Sequence, residues 1–183
     1  MGNIYWNKLG LDQATNPDSS ISIHILAIGD SWFHYIPCCL LTYIQNYISS
    51  LNIYALGANG LRSDGMEAYL QEVKDSLKTY RTIKVIAVSA GGNDFAGLGD
   101  LDKIILNSNC GSAGNIKGCY QQGQPNKLFR EVIGHYRNLI DTVITTIKDT
   151  NRHIVIFVHN YDYPIPDGRF VQVLLKKIGP WLK

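Results

Sequence analysis

Three short polar segments and one histidine hold the side chains of this sequence that could do chemistry. Gly29-Asp30-Ser31-Trp32 follows one apolar run, Gly57-Ala58-Asn59-Gly60 a second, Ala90-Gly91-Gly92-Asn93-Asp94 a third and His159 a fourth. A serine at a strand-to-helix junction suits a nucleophile, because its own backbone N–H helps hold the oxyanion formed when the hydroxyl attacks an acyl carbon. Alone, Ser31 or Asp30 reads more simply as a helix cap. Asn93 shifts the balance: its amide can donate to the same oxyanion, and the flanking glycines let a substrate approach the backbone. Gly60 or Gly57 could supply one more N–H, although each glycine taken singly reads as a turn residue. Asp30 and Asp94 read as organisers of their turns.

A serine nucleophile needs a base, and the histidines are His24, His34, His135, His153 and His159. His24 lies inside a strand, His153 opens one at the wrong edge and His135 faces out from a helix, so these read as structural. His34 follows Ser31 by one helical turn and points toward it or away from it. His159 alone lands at the carboxyl end of a strand, where an imidazole can accept the serine proton, with Asp162 as its orienting acid.

The elements that must position these groups follow from periodicity. Apolar, β-branched runs at 21–28, 52–56, 82–89 and 153–159 predict strands, most of them closed by glycine or polar turn residues. Helical spacing predicts helices over 36–51, with Pro37 near its start, and over 66–80, 128–148 and 170–178, plus a fragment at 101–106. Strands alternating with helices, with nearly uninterrupted apolar strand centres, predict a parallel sheet covered on both faces by right-handed crossovers, a three-layer α/β/α sandwich. Ligands of such sheets gather at the carboxyl ends of the strands, so the four segments should share one rim. The Gly, Asn, Ser and Gln-rich stretch from Phe95 to Asn126, with Tyr161-Asp162-Tyr163-Pro164, would form the substrate walls.

Gly29-Asp30-Ser31, a glycine after the second strand and Gly91-Gly92-Asn93-Asp94 after the third resemble, in order and spacing, the first three sequence blocks of the SGNH/GDSL hydrolases. The resemblance covers roughly residues 21–95 with motifs and the rest by strand-helix order. It implies a flavodoxin-like fold and metal-free, cofactor-free esterase, lipase or thioesterase chemistry on a small-molecule, lipid or carbohydrate ester. By it Ser31 matches the nucleophile, Asn93 the oxyanion side chain and Gly60 the oxyanion glycine, with Gly57 a rival. The sequence departs from the family in lacking the late Asp-x-x-His block that supplies the base. His159 is one replacement. The other reading is that residues 1–183 form a single domain incomplete at its C-terminal end, lacking a fifth strand and the block together. That would leave the strand at 153–159 as an apolar edge prone to self-association, in a chain with little activity. Rival functions are a non-catalytic acyl- or carbohydrate-binding member of the fold and a flavodoxin-like phosphate or flavin binder.

Composition narrows the classes. With 183 residues, 45% hydrophobic and 17% charged, the chain holds a core and is not disordered. A formal charge of +2 without charge runs gives no footprint for nucleic acid. No apolar stretch reaches the roughly 18 residues of a membrane span, and the first twenty residues carry no signal-peptide pattern, which makes the cytoplasm the default compartment. Four cysteines are too few for a disulfide scaffold. Cys38 and Cys39 read as small core side chains, whereas Cys110 and Cys119 bracket a flexible polar segment and are expected to pair. Closing so short a loop would contribute roughly 2 to 3 kcal/mol, and alkylation of the unfolded chain with and without reductant, read by mass spectrometry, checks the bond: Cys110 and Cys119 both modified without reductant exclude it.

Overall fold

A computed structural model describes residues 2–14, 21–34, 39–96, 124–159, 170–173 and 176–180. Cys38, Cys110, Cys119, Pro37, the 101–106 fragment and Tyr161 to Pro164 lie outside the described residues. Among the described residues the main sheet consists of five parallel strands in the order β1-β3-β2-β4-β5. These are β1 (Ile4–Tyr5), β2 (Ile25–Gly29), β3 (Ile53–Gly57), β4 (Val85–Ser89) and β5 (Val155–Val158). The four strands expected from the sequence therefore run 2-1-3-4, as the flavodoxin-like reading requires, and a two-residue strand is added at the N-terminal side.

Side chains alternate across the sheet because the strand period is two. Leu26, Ile28, Tyr54, Leu56, Ile86 and Val88 face one layer, built from α1 (Lys8–Ala14), a 3-10 turn (Asp64–Tyr69), α4 (Leu70–Thr79) and α6 (Gln124–Ile147). Ile25, Ala27, Ile53, Ala55 and Ala87 face the other layer, where α2 (Ser31–His34) and α3 (Leu40–Tyr47) contribute Phe33 and Leu41. This is a three-layer α/β sandwich. Cys39 is a buried free thiol before α3, in contact with the Thr42 hydroxyl at 2.9 Å. α6 presents Val132, Leu139 and Val143 inward at helical spacing. Arg152 ties the end of α4 to the start of β4 by donating to the carbonyls of Leu77, Tyr80 and Ile83. Among the described residues β5 is a sheet edge, and its Val155 and Phe157 are exposed.

Two expectations need correction. The described residues of the 170–178 segment are not helical: Phe170–Val173 and Lys176–Pro180 form an antiparallel two-stranded ladder. Val171-Gln-Val173 already has the strand period, and the helical spacing of the neighbouring apolar residues masked it. The long second helix is divided, opening as the 3-10 turn before α4 begins at Leu70. No helix among the described residues is long and apolar enough to cross a membrane.

All five strands are parallel, so their carboxyl ends define one rim, with Gly29 opposite Gly57 on one side and Ser89 on the other. Gly57 makes that rim possible. Its φ is +119°, and a Cβ there would meet the Gly29 carbonyl oxygen at 2.0 Å. Gly60 has φ +80° with open space around it. We expect Gly57→Ala to cost well over the roughly 1–2 kcal/mol that left-handed backbone alone imposes on Gly60→Ala. Urea unfolding of both variants checks this, and equal losses would contradict the close-approach account.

Candidate active site

Asp30 lies at the β2-α2 junction and is only 1% exposed. Its Oδ1 accepts the Trp32 backbone N–H at 3.1 Å, which caps the first turn of α2, and the Ser89 hydroxyl at 3.2 Å. Its Oδ2 accepts the Asn93 amide at 3.2 Å. Ser31 follows directly as the first residue of α2, half-buried. The turn-organising role expected of Asp30 is thus visible, and it reaches beyond the turn.

Asn93 belongs to α5 (Gly92–Ala96), the short helix after β4. Its Nδ2 also donates to the Leu61 carbonyl at 3.0 Å, so one amide bridges the β2 end and the loop after β3. Both partners can only accept, which fixes the orientation of the amide. Asp94, 3% exposed, accepts the Ser63 N–H and the Ser63 hydroxyl, both at 2.8 Å, with Arg62 Nε 4.0 Å away. Two consecutive side chains of α5 therefore fasten the loop after β3. Within that loop the Leu61 N–H donates to the Ala58 carbonyl at 3.1 Å, and Gly60, the third residue of this turn, takes a positive φ that glycine adopts without strain. Gly57 lies in the ladder with Gly29 instead, so close backbone approach accounts for it.

His159 follows β5, its N–H continuing the ladder to the Val88 carbonyl at 2.8 Å. Its Nδ1 lies 3.2 Å from the Ser89 hydroxyl, and its ring packs on Trp32 with centroids 5.1 Å apart. The residue after Ser31 and the histidine at the far strand end thus touch. Burial holds the His159 imidazole below its ordinary pKa, and the nearby Asp30 charge partly offsets this.

Three of the other histidines make contacts that hold elements together. His34 Nε2 lies 3.1 Å from the Leu56 carbonyl, with its ring against Trp6, and burial lowers its pKa. His24 Nδ1 accepts the Asn52 N–H at 3.0 Å. His135 lies 3.1 Å from Glu67, bridging α6 to the 3-10 turn, and is half-buried where the sequence suggested an outward face. His153 is exposed. Asp162 lies outside the described residues. Among those described, no group of three or more His, Cys, Asp or Glu could hold a metal ion.

Sequence reasoning missed Ser89 and Tyr136. Ser89 is the one polar residue of β4 and ends it, which was the available signal. The Tyr136 hydroxyl donates to the Ala90 carbonyl at 2.8 Å and accepts its N–H at 3.0 Å, anchoring α6 to the rim; burial pushes its pKa up to about 12.

No family model matches the sequence, and no curated protein does. Solved structures similar to this chain include the crystal structure of AlinE4, an SGNH-hydrolase family esterase, with a TM-score of 0.41 and 16% identity over 76% of this chain and 60% of that one. A point mutant of the same esterase gives a TM-score of 0.37 and 18% identity over 73% of this chain and 83% of that one. The chain spans about three-fifths of the length of the first. At such identity the functional reading must come from the residues of the rim.

A histidine whose pKa is lowered on folding binds fewer protons in the folded state. Its contribution to stability is present above pH 6.5 and is lost as pH falls through the lower folded value. An NMR titration of His159 should therefore give a midpoint below 6.5, moved lower still by Asp30→Asn, which removes the charge that raises it. A midpoint at or above 6.5 would contradict the burial account.

Proposed function

We propose that this rim is the active site of a serine esterase that hydrolyses an acyl or acetyl ester through an acyl-enzyme. The observation that supports it is the single hydrogen-bond network of Asp30, Ser89, Asn93 and His159, which joins the ends of β2, β4 and β5 directly beside Ser31. In this reading the Ser31 Oγ bonds to the acyl carbon while its proton passes to the His159 imidazole, neutral at pH 7 because burial lowers its pKa. The carbonyl electron pair moves onto oxygen, held by the backbone N–H groups of Ser31 and Gly60 and by the Asn93 amide. Collapse of the tetrahedral species expels the alcohol, which takes the proton from His159. Water then repeats the sequence and releases the acid.

Asn93 must exchange one of its resting partners, Asp30 or Leu61, to serve the oxyanion. Leu61 is the natural one to release, since its carbonyl belongs to a half-buried loop residue.

Ser31→Ala should abolish fluorophosphonate labelling and p-nitrophenyl acetate hydrolysis together. Labelling that persists in that variant would refute the nucleophile assignment. Asn93→Ala should lower turnover by about a hundredfold, the usual cost of losing one oxyanion donor. Because it also breaks two hydrogen bonds, stability should fall by about 1–3 kcal/mol. Unchanged turnover alongside that stability loss would make Asn93 a fastener only.

A further inference from the structure

Asp162, the acid that sequence spacing offers for His159, lies outside the described residues, yet the ring already has a partner inside the sheet. Ser89 ends β4 between the strands carrying Asp30 and His159, and its hydroxyl lies 3.2 Å from Asp30 Oδ1 and 3.2 Å from His159 Nδ1. A serine hydroxyl has one hydrogen. A carboxylate can only accept, so that hydrogen points to Asp30 and the Ser89 oxygen is left to receive a hydrogen from His159. With the serine hydrogen so placed, the 3.2 Å contact favours a proton on Nδ1, which makes Nε2 the nitrogen with the lone pair.

We propose that Ser89 is a positioning residue which transmits the hold of Asp30 to His159, fixing the Nδ1–H tautomer and thereby presenting Nε2 as the proton acceptor for Ser31. The second half of this statement rests on the esterase reading; the first half does not. The arrangement places a hydroxyl between acid and imidazole, where a direct carboxylate contact would otherwise orient the ring. Three features support it beyond the two distances. Ser89 is fully buried, so its hydroxyl hydrogen is not shared with bulk water. Register fixes it opposite Gly29, one residue from Asp30. Trp32 packs on the imidazole face, restricting rotation of the ring. The same Asp30 carboxylate also takes the Asn93 amide, so one acid would orient both the base and the oxyanion donor.

The test is a long-range nitrogen–proton NMR spectrum of the 15N-labelled intact chain, recorded above the His159 midpoint. The wild type should show the Nδ1–H tautomer for His159, and an Nε2–H tautomer there overturns the proposal without any variant being needed. In Asp30→Asn the Trp32 N–H holds the amide oxygen at the Oδ1 place, where it still accepts the serine hydrogen, so the ring should stay Nδ1–H, and a switch to Nε2–H there contradicts the proposal. In Ser89→Ala the Nδ1–H preference should be lost; a folded Ser89→Ala chain with an unchanged tautomer refutes the link. The rate of fluorophosphonate labelling supplies the catalytic half. Ser89→Ala should slow it by about tenfold or more and His159→Gln by about a hundredfold. The double variant should be no slower than His159→Gln alone. Slowing by Ser89→Ala that adds in full to that of His159→Gln contradicts action through the histidine. A wild type that shows Nδ1–H yet does not label at all removes Ser31 and the base role while leaving the orienting role of Ser89 established.

Discussion

The rim is organised around a carboxylate that the fold has removed from water. A buried acid is retained only where donors replace its hydration, because an unpaired charge inside a protein costs several kcal/mol. Asp30 meets that requirement with the Trp32 N–H, the Ser89 hydroxyl and the Asn93 amide, drawn from the α2 turn, the end of β4 and α5. Each donor is useful to Asp30 only while its own element stays in place, so satisfying one charge pins three pieces of backbone. The sheet makes this convergence possible. Parallel pairing sets Gly29 beside Ser89 and Gly57, and at Gly57 even a methyl group would strike the neighbouring strand.

That dependence runs outward from the rim as well. Asn93 and Asp94 are neighbours on α5, and while the first reaches Asp30 and Leu61, the second takes both donors of Ser63. The loop after β3, which carries the exposed Gly60, is thereby fixed by hydrogen bonds to the helix after β4 together with the packing of Leu61 on the core. Tyr136 performs the corresponding service from the opposite layer. Its hydroxyl satisfies both backbone groups of Ala90, the residue between Ser89 and Gly91, so α6 is coupled to the same strand end.

Much of this frame was legible in the sequence, for identifiable reasons. Strand centres such as Leu26-Ala-Ile and Val85-Ile-Ala-Val announce themselves because a sheet covered on both faces needs continuous apolar runs, and the carboxyl ends announce themselves through Gly29, Gly57 and the Gly91-Gly92 pair. The amino ends were overextended: Ile21, Ile23, Thr82 and Ile83 are β-branched, but regular pairing begins only at Ile25 and Val85. Ile4-Tyr5 is too short to show a period, and its strand exists because the exposed side of β3 accepts it. At the site, Ser31, Asn93 and His159 could be placed at the rim because each follows a readable strand end. Ser89 could not be given a role, since a serine closing an apolar strand looks the same whether it is idle or bonded. Its partners lie 59 and 70 positions away and are set by register alone.

The two bonds of the Asn93 amide bear on how such a rim could work. At rest its hydrogens are shared between a carboxylate at 3.2 Å and a carbonyl at 3.0 Å. Giving up Asp30 would leave a buried charge with fewer donors, while giving up Leu61 would leave a half-buried backbone carbonyl that can turn to solvent. The second exchange costs less, because a carbonyl in water keeps its hydrogen bonding whereas a charge in the interior does not. A developing oxyanion would then receive a charge-assisted bond in place of a neutral one, and such bonds are roughly twice as strong. The gain appears only when charge develops, which is the condition for lowering a barrier without tightening the ground state. The same carboxylate that holds Asn93 in its resting place therefore decides which of its two hydrogens is available to the reaction.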